Sequence, residues 1–201
     1  MALRCLMVDV DGVVARRLDG TLWNRDSQAD LGLDPKAFQD AFFAVHWPDV
    51  VIGRADLHER LGPVLQTIAP HLRSDQVTAY WFEQDGHLDQ ALLDDLAAYR
   101  AAGLELHLAT VQEHHRARHL WEVLGLNAQF EAMHYAADYG CKKPDAAFFR
   151  MAEQRSGFAP HELLLIDDSP RNVEGARACG WAAILWTGEV RLPEAMAQAG
   201  F

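Results

Sequence analysis

Two carboxylates stand two residues apart at the end of an apolar run near the start of the chain. The run LMV occupies residues 6–8, and Asp9 and Asp11 follow it before Gly12. A polar turn would explain the pair without any function, whereas a cation or phosphate site would give both acids a role. The polar residues elsewhere in the chain decide between these two interpretations.

Polar side chains also follow other segments that have the pattern of buried strands. Thr110 follows one, Lys142 and Lys143 follow the next, and Asp167 and Asp168 follow a third. Carboxylates that converge repel one another unless protons or a cation bind. Oxygen ligands favour a hard ion, for which Mg²⁺ is our prediction. A lysine and a threonine opposite would complete a phosphate cradle, one carboxylate could attack phosphorus, and its neighbour could carry the proton.

The elements that must position these residues alternate between strands and helices. We predict strands at residues 3–8, 104–109, 130–135, 163–166 and 182–185, with helices at about 112–124, 145–156 and 170–179. This alternation predicts an α/β fold, with a doubly wound, Rossmann-like parallel sheet as its core. Ligands bind beyond the carboxyl ends of the strands in such sheets, so the polar residues should meet at one edge.

The interval between the first two predicted strands is too long for a simple crossover of about 30 residues. It contains a hairpin signal at Asp19-Gly20 and several segments with helical spacing, for which Asp34 and Ser74 are predicted N-caps. We therefore predict a catalytic core at residues 1–15 and 89–201. A mainly helical cap, residues 16–88, is inserted after the first strand.

Charge and cysteine content narrow the function classes. The chain has 18 Lys and Arg against 29 Asp and Glu, a net charge of −11, which disfavours nucleic acid and anionic membrane partners. Cys5, Cys141 and Cys179 form no CxxC motif, and no leader or membrane span is evident. We expect a cytoplasmic protein whose partner is a small phosphorylated metabolite, and the sequence leaves its oligomeric state open.

Four motifs together resemble those of the haloacid dehalogenase-like (HAD) hydrolase superfamily. They are DVDGV, LAT, KKPD and LLLIDDSPRNVEGARACGW, in the order that the family has them. The predicted insert is similar to the family's helical cap. A narrower resemblance, carried by GCKKPDAAFF and IDDSPRNVEGA, is to sugar-phosphate phosphatases related to α-glucose-1-phosphatase.

The resemblance implies roles for the residues that would touch the phosphoryl group. Asp9 would be the nucleophile that forms a phosphoaspartate, and Asp11 would be the general acid and base. Thr110, the main-chain N–H of Val111, and Lys143 would bind the phosphoryl group. Val111 departs from the asparagine that is common in the family. We expect Lys143 and the metal to keep Asp9 ionised, and Asp11 to carry the proton.

The resemblance also implies the Mg²⁺ ligands. Asp9, the main-chain carbonyl of Asp11, and Asp168 would bind the ion directly, and Asp167 would bind it through water. Asn172 stands where many relatives carry another acid, so the sequence leaves its part in the metal site open.

The sequence therefore predicts an Mg²⁺-dependent phosphomonoesterase that acts on a small metabolite, with a sugar phosphate as the expected substrate. A sugar phosphomutase is the alternative. A haloacid dehalogenase fits less well because Asp11 is present, and a non-enzymatic phospho-acceptor module would lack the insert.

Two other residue groups have a simpler structural interpretation. His115 and His119, with Glu113 nearby, could hold zinc, but a solvated helix face is the favoured interpretation. Most of the aromatic residues in the insert should form its own core, while one or two could stack on a sugar.

Overall fold

The computed structural model describes residues 3–15 and 21–201. Its centre is one five-stranded sheet of order β3-β2-β1-β4-β5, in which every neighbouring pair is parallel. The strands are β1 Cys5–Val8, β2 Glu105–Thr110, β3 Ala132–Tyr135, β4 Leu163–Asp167 and β5 Ala182–Leu185. The predicted α/β parallel-sheet fold is confirmed, and the predicted strand ends lie within two residues of the observed ones.

Helices occupy most of the remaining described chain. Between β1 and β2 lie α1 Ser27–Leu31, α2 Pro35–Phe38, α3 Trp47–Val50, α4 Leu57–Ile68, α5 Ser74–Gln84 and α6 Gln90–Ala101. After β2 lie α7 His114–Arg118, α8 Ala136–Tyr139, α9 Ala146–Ser156, α10 Pro170–Ala178 and α11 Leu192–Gln198. Within residues 3–15 and 21–201, no helix is both long enough and apolar enough to cross a membrane.

The central strand β1 is buried on both sides. Leu6 and Val8 join one hydrophobic cluster, whereas Cys5 and Met7 join a second cluster on the opposite face. A parallel strand covered on both faces has a continuous apolar sequence rather than an alternating one. The end of this rigid strand is the point from which Asp9 enters the site.

A third hydrophobic cluster lies entirely between Trp23 and Phe82. Trp23 stacks on Trp81 with ring centroids 5.2 Å apart, and Phe38 stacks on Phe42 at 5.4 Å. The prediction that most of the insert's aromatic residues form its core is confirmed. We propose on this basis that the insert is a separate cap. The Asp19-Gly20 hairpin signal lies outside the described residues.

Two predicted helix starts need correction. Ser74 is the first residue of α5, and Arg73 precedes it as the N-cap, where its N–H donates to Gln76 Oε1 at 2.9 Å. The helix predicted at 112–124 begins at His114, because Glu113 is its N-cap, and it continues as a π-helix at His119–Val123.

Candidate active site

Asp9 is fixed by the backbone on both sides of it. Its N–H donates to the carbonyl of Ile166 at 2.9 Å, and its Oδ1 accepts from the N–H of Val10 at 2.8 Å. The turn that follows closes when the N–H of Ala15 donates to the Val10 carbonyl at 2.8 Å. The Asp9 carboxylate therefore projects from the carboxyl end of β1 in one orientation, and the residue is only 7% exposed.

Lys143 joins the acids of two neighbouring strands. Its Nζ lies 3.1 Å from Asp9 Oδ1 and also contacts Asp167 Oδ2. Asp167 Oδ1 further accepts from the Ser169 N–H at 2.9 Å and from Asn172 Nδ2 at 3.0 Å. Asn172 thus acts as a donor that satisfies a buried carboxylate.

Three carboxylates form the group that could hold a metal ion. Asp9, Asp167 and Asp168 each offer an oxygen, and these oxygens lie within 4.8 Å of one another. An oxygen-only set of this kind fits a hard dication such as Mg²⁺. The side chain of Asp11 is not part of this group, and the role of its carbonyl stays a prediction.

Gly12 makes room for Asp168. A Cβ on Gly12 would lie 2.1 Å from Asp168 Oδ2, which is closer than any real contact. The backbone of Gly12 also has φ +78°, a conformation that other residues rarely adopt. The turn therefore favours glycine in the DVDGV motif, and a larger residue there would also displace the Asp168 side chain.

The electrostatics of the site favour binding of a proton or a cation. Burial raises the pKa of Asp9 to about 7, against the opposing attraction of Lys143, and repulsion from Asp167 and Asp11 raises it further. Partial burial and Asp167 also raise the pKa of Asp168. Burial lowers the pKa of Lys143, but Asp9 and Asp167 outweigh that effect and raise it. Lys143 alone does not offset the burial of Asp9, so a bound cation would favour the ionised form of Asp9.

Thr110 and Gln112 complete the side of the site next to β2. Thr110 is the last residue of β2 and is buried, and Val111 follows it. Gln112 was not predicted from the sequence. Its buried Nε2 donates to Asp11 Oδ2 at 2.6 Å and lies 3.4 Å from Thr110 Oγ1. A glutamine two positions beyond the strand-end threonine is the signal that could have identified it.

The histidine segment lies against the insert, which corrects the prediction of a solvated helix face. His115 Nε2 is 2.8 Å from Asp56 Oδ2, and its ring centroid is 4.6 Å from that of His58. His119 lies 5.2 Å from the ring of Phe82. Among the residues that the structure describes, the carboxylate group above is the one found with three ligands in reach of a metal ion, and His115 and His119 are not in it.

The chain is similar in sequence to one known protein family and to characterised phosphatases. A family model described as haloacid dehalogenase-like hydrolase matches residues 3–180. The chain is 35% identical over 100 residues to a phosphoserine phosphatase from Thermus thermophilus, and 28% identical over 102 residues to a phosphoglycolate phosphatase from Escherichia coli K12. These matches cover 49% and 51% of this chain but 40% of each relative, so the matched part is less than half of either relative's length.

A solved structure has the same fold over nearly the whole length. It is a HAD family enzyme from Bacteroides thetaiotaomicron in complex with magnesium and inorganic phosphate. The TM-score is 0.76 at 16% identity, and the match covers 96% of this chain and 98% of the other. At this identity the likeness shows the fold alone.

Proposed function

This chain belongs to the haloacid dehalogenase-like hydrolases, and we propose that it is an Mg²⁺-dependent phosphomonoesterase that acts on a small phosphorylated metabolite. The observation that carries the proposal is the buried arrangement of Asp9, Lys143 and Asp167, in which one ammonium lies between two carboxylates. A structural ion pair needs one acid. A second buried acid leaves negative charge that a bound cation would balance.

The proposed reaction has two displacements at phosphorus. In the first, an oxygen of Asp9 forms a bond to phosphorus while the bond to the leaving oxygen breaks and Asp11 gives that oxygen a proton. In the second, water attacks phosphorus and Asp11 takes a proton from the water. The bond between phosphorus and the Asp9 oxygen breaks, which frees inorganic phosphate and regenerates the Asp9 carboxylate. Thr110 and the N–H of Val111 would hold the phosphoryl oxygens throughout.

Asp9, Asp168 and the carbonyl of Asp11 would hold Mg²⁺, and Asp167 would reach it through water. The bound ion supplies positive charge that offsets the charge of the transferring phosphoryl group. Lys143 contributes to the same balance, since its completely buried ammonium lies 3.1 Å from Asp9 Oδ1. The B. thetaiotaomicron enzyme that shares the fold was solved with magnesium and phosphate, which supports this choice of ion.

The proposed substrate class rests on the named relatives and on the narrower sequence resemblance. The two curated relatives are named for phosphoserine and phosphoglycolate, both small phosphomonoesters that carry a carboxylate. The narrower resemblance to α-glucose-1-phosphatase-type enzymes favours a sugar phosphate. We propose a sugar phosphate as the substrate, with these two carboxylate-bearing esters as the competing class.

A screen of phosphorylated metabolites, with millimolar Mg²⁺ and with EDTA, tests the proposal. We expect Mg²⁺-dependent release of inorganic phosphate from sugar phosphates and slower release from phosphoserine and phosphoglycolate. Asp9→Asn serves as the inactive control. Isomerised sugar phosphate without free phosphate would identify a phosphomutase instead. Halide release from a 2-haloacid would identify a dehalogenase.

A further inference from the structure

We propose that Arg116 is a positioning residue. Through Arg116, residues 85–88, which connect the cap to the core, fix the position of the Asp11 carboxylate. The inference rests on the proposed function, in which Asp11 carries the proton for both displacements. Arg116 lies outside the proposed phosphate and metal positions, and in this role it couples the cap to the turn that carries Asp11.

Arg116 is a buried cation that binds the end of a cap helix. It lies in α7 and is 1% exposed. Its Nη1 donates to the carbonyl of Phe82 at 2.9 Å and its Nη2 to the carbonyl of Asp85 at 2.7 Å. The last carbonyls of a helix lack partners within the helix and attract cations. Arg116 therefore holds the carboxyl end of α5 against the core.

The bound segment leads directly back to the turn that carries Asp11. Residues 85–88 connect α5 to the core, and Leu88 forms an antiparallel bridge with Ala15, which in turn bridges to Asp11. Gly86 in this connection is closely packed, because a Cβ there would lie 2.8 Å from the Phe82 carbonyl. A shift of residues 85–88 would thus be transmitted to both Arg116 and the Asp11 turn.

Asp11 is held from two sides. Gln112 Nε2 donates to Asp11 Oδ2 at 2.6 Å, while Arg116 Nη2 lies 3.9 Å from Asp11 Oδ1. The same Nη2 donates to the Asp85 carbonyl, so this one nitrogen lies between residues 85–88 and the Asp11 carboxylate. Asp11 is the largest of three carboxylate influences, with Asp85 and Glu113, that offset the burial of the guanidinium, which ties Arg116 to Asp11 as well as to the connection. Displacement of an acid by about 1 Å can cost about a hundredfold in rate, so this hold matters for proton transfer.

The kinetic test compares two substrates that differ in their need for a proton. In Arg116→Met, kcat for a sugar or alkyl phosphate should fall at least about tenfold more than kcat for an activated aryl phosphate, whose leaving group needs little protonation. KM for both should change little, and Arg116→Lys should recover part of the loss. Arg118→Met, on the exposed side of the same helix, is the matched control and should behave as the wild type. An equal fall for both substrates would assign Arg116 a merely structural role.

A second measurement needs no activity and so separates failure of this inference from failure of the proposed function. Hydrogen exchange of the amides at 85–88 is measured in Asp11→Asn, in Arg116→Lys and in the double variant, which forms a double-mutant cycle. We expect each single variant to speed exchange there, and the double variant to add little to Arg116→Lys. Additive effects, or no effect of Asp11→Asn, would overturn the inference even if the protein is a phosphatase. A wild type inactive on every phosphomonoester would refute the proposed function, and the cycle would still decide the coupling.

Discussion

At the residue scale, the central fact is that two buried carboxylates share one buried ammonium. Removing a carboxylate or an ammonium from water costs several kcal/mol per ion in real proteins, and an attractive pair recovers this only with good geometry. Lys143 has that geometry with Asp9 and with Asp167. One negative charge remains when both acids are ionised. A phosphate ester would be repelled by this charge, so the site needs a cation before it can take an anionic substrate.

Gly12 gives a direct test of the carboxylate group. Gly12→Ala places a Cβ 2.1 Å from Asp168 Oδ2 and strains a residue at φ +78°, so Asp168 must move. Asp168 is a proposed direct ligand, so we expect the Mg²⁺ affinity measured by calorimetric titration to fall at least as much as the about 10- to 100-fold that loss of an outer-shell partner typically costs.

Gly62→Ala is the matched control for Gly12. Gly62 lies inside α4, and a Cβ there meets nothing within 4 Å. Because Pro63 follows Gly62 in α4, this change is not expected to stabilise the helix, but it should leave Mg²⁺ affinity unchanged. Equal Mg²⁺ affinity in the two alanine variants would show that Asp168 is not part of the metal site.

At the element scale, the strand ends explain why much of the site could be predicted. An apolar run that ends in a polar residue defines where a buried strand stops, and parallel strands bring such ends to one edge. Asp9, Thr110 and Asp167 follow this rule, and the structure places them at the ends of the neighbouring strands β1, β2 and β4. Lys143 reaches the same place from the loop before α9.

Other features depend on contacts between distant segments and could not be predicted locally. Arg116 is buried because the carbonyls of Phe82 and Asp85 meet it across the cap boundary, and nothing in its own sequence neighbourhood signals this. Glu113 determines where α7 begins, because its carboxylate accepts from the N–H groups of His115 and Arg116. Glutamate seldom has this role at an N-cap.

The separate cluster between Trp23 and Phe82 allows a test of the proposed cap. Phe42→Ala and Phe148→Ala each remove a fully buried ring, one from the insert and one from the sheet's second cluster. Each should cost about 3–5 kcal/mol in the unit that contains it. We expect Phe42→Ala to speed amide exchange across residues 21–82 while the strands stay protected, and Phe148→Ala to expose the strands.

This pair of variants also has a clear contrary outcome. If Phe42→Ala exposes β1 and β2 as much as it exposes α4 and α5, the insert and the sheet unfold as one cooperative unit. The proposed division at residues 15/16 and 88/89 would then have no energetic meaning, although the topology of the chain would be unchanged.

At the scale of the whole molecule, the net charge of −11 opposes the approach of an anionic substrate. The positive charge available at the site is local, since it comes from buried Lys143 and from the proposed cation. High salt should screen the unfavourable field of the surface but act only weakly on the buried groups. Binding of a phosphate ester is therefore governed by the metal site rather than by the overall field.

Stability should depend on pH and Mg²⁺ together. The pKa of Asp9 is about 7 in the fold, against about 3.9 in an unfolded chain, so the folded state binds more protons between these values. This group alone makes the metal-free protein lose stability as pH rises from about 4 to 7. Mg²⁺ must displace that proton, so its stabilising effect should be larger at pH 8 than at pH 5.5, reaching about 2.7 kcal/mol at a hundred times its dissociation constant.

Thermal melting with Mg²⁺ and with EDTA at the two pH values checks this prediction. Burial lowers the pKa of His134 to about 3, which destabilises the fold in acid with and without Mg²⁺ alike, so the difference between the two melting curves isolates the metal site. Asp9→Asn should flatten the pH dependence of that difference. A wild-type difference that is the same at both pH values would contradict the assignment of Asp9 as a metal ligand.

In the proposed mechanism Asp9 becomes phosphorylated while Asp11 moves the proton. Rapid-quench trapping of protein-bound phosphate, with an aryl phosphate as substrate, can be applied to the wild type, Asp9→Asn and Asp11→Asn to test both roles. We expect no bound phosphate in Asp9→Asn. In Asp11→Asn we expect a burst of hydroxylamine-labile phosphate followed by slow hydrolysis, because an aryl leaving group needs little protonation. Hydroxylamine-labile phosphate on the Asp9→Asn protein would show that Asp9 is not the nucleophile.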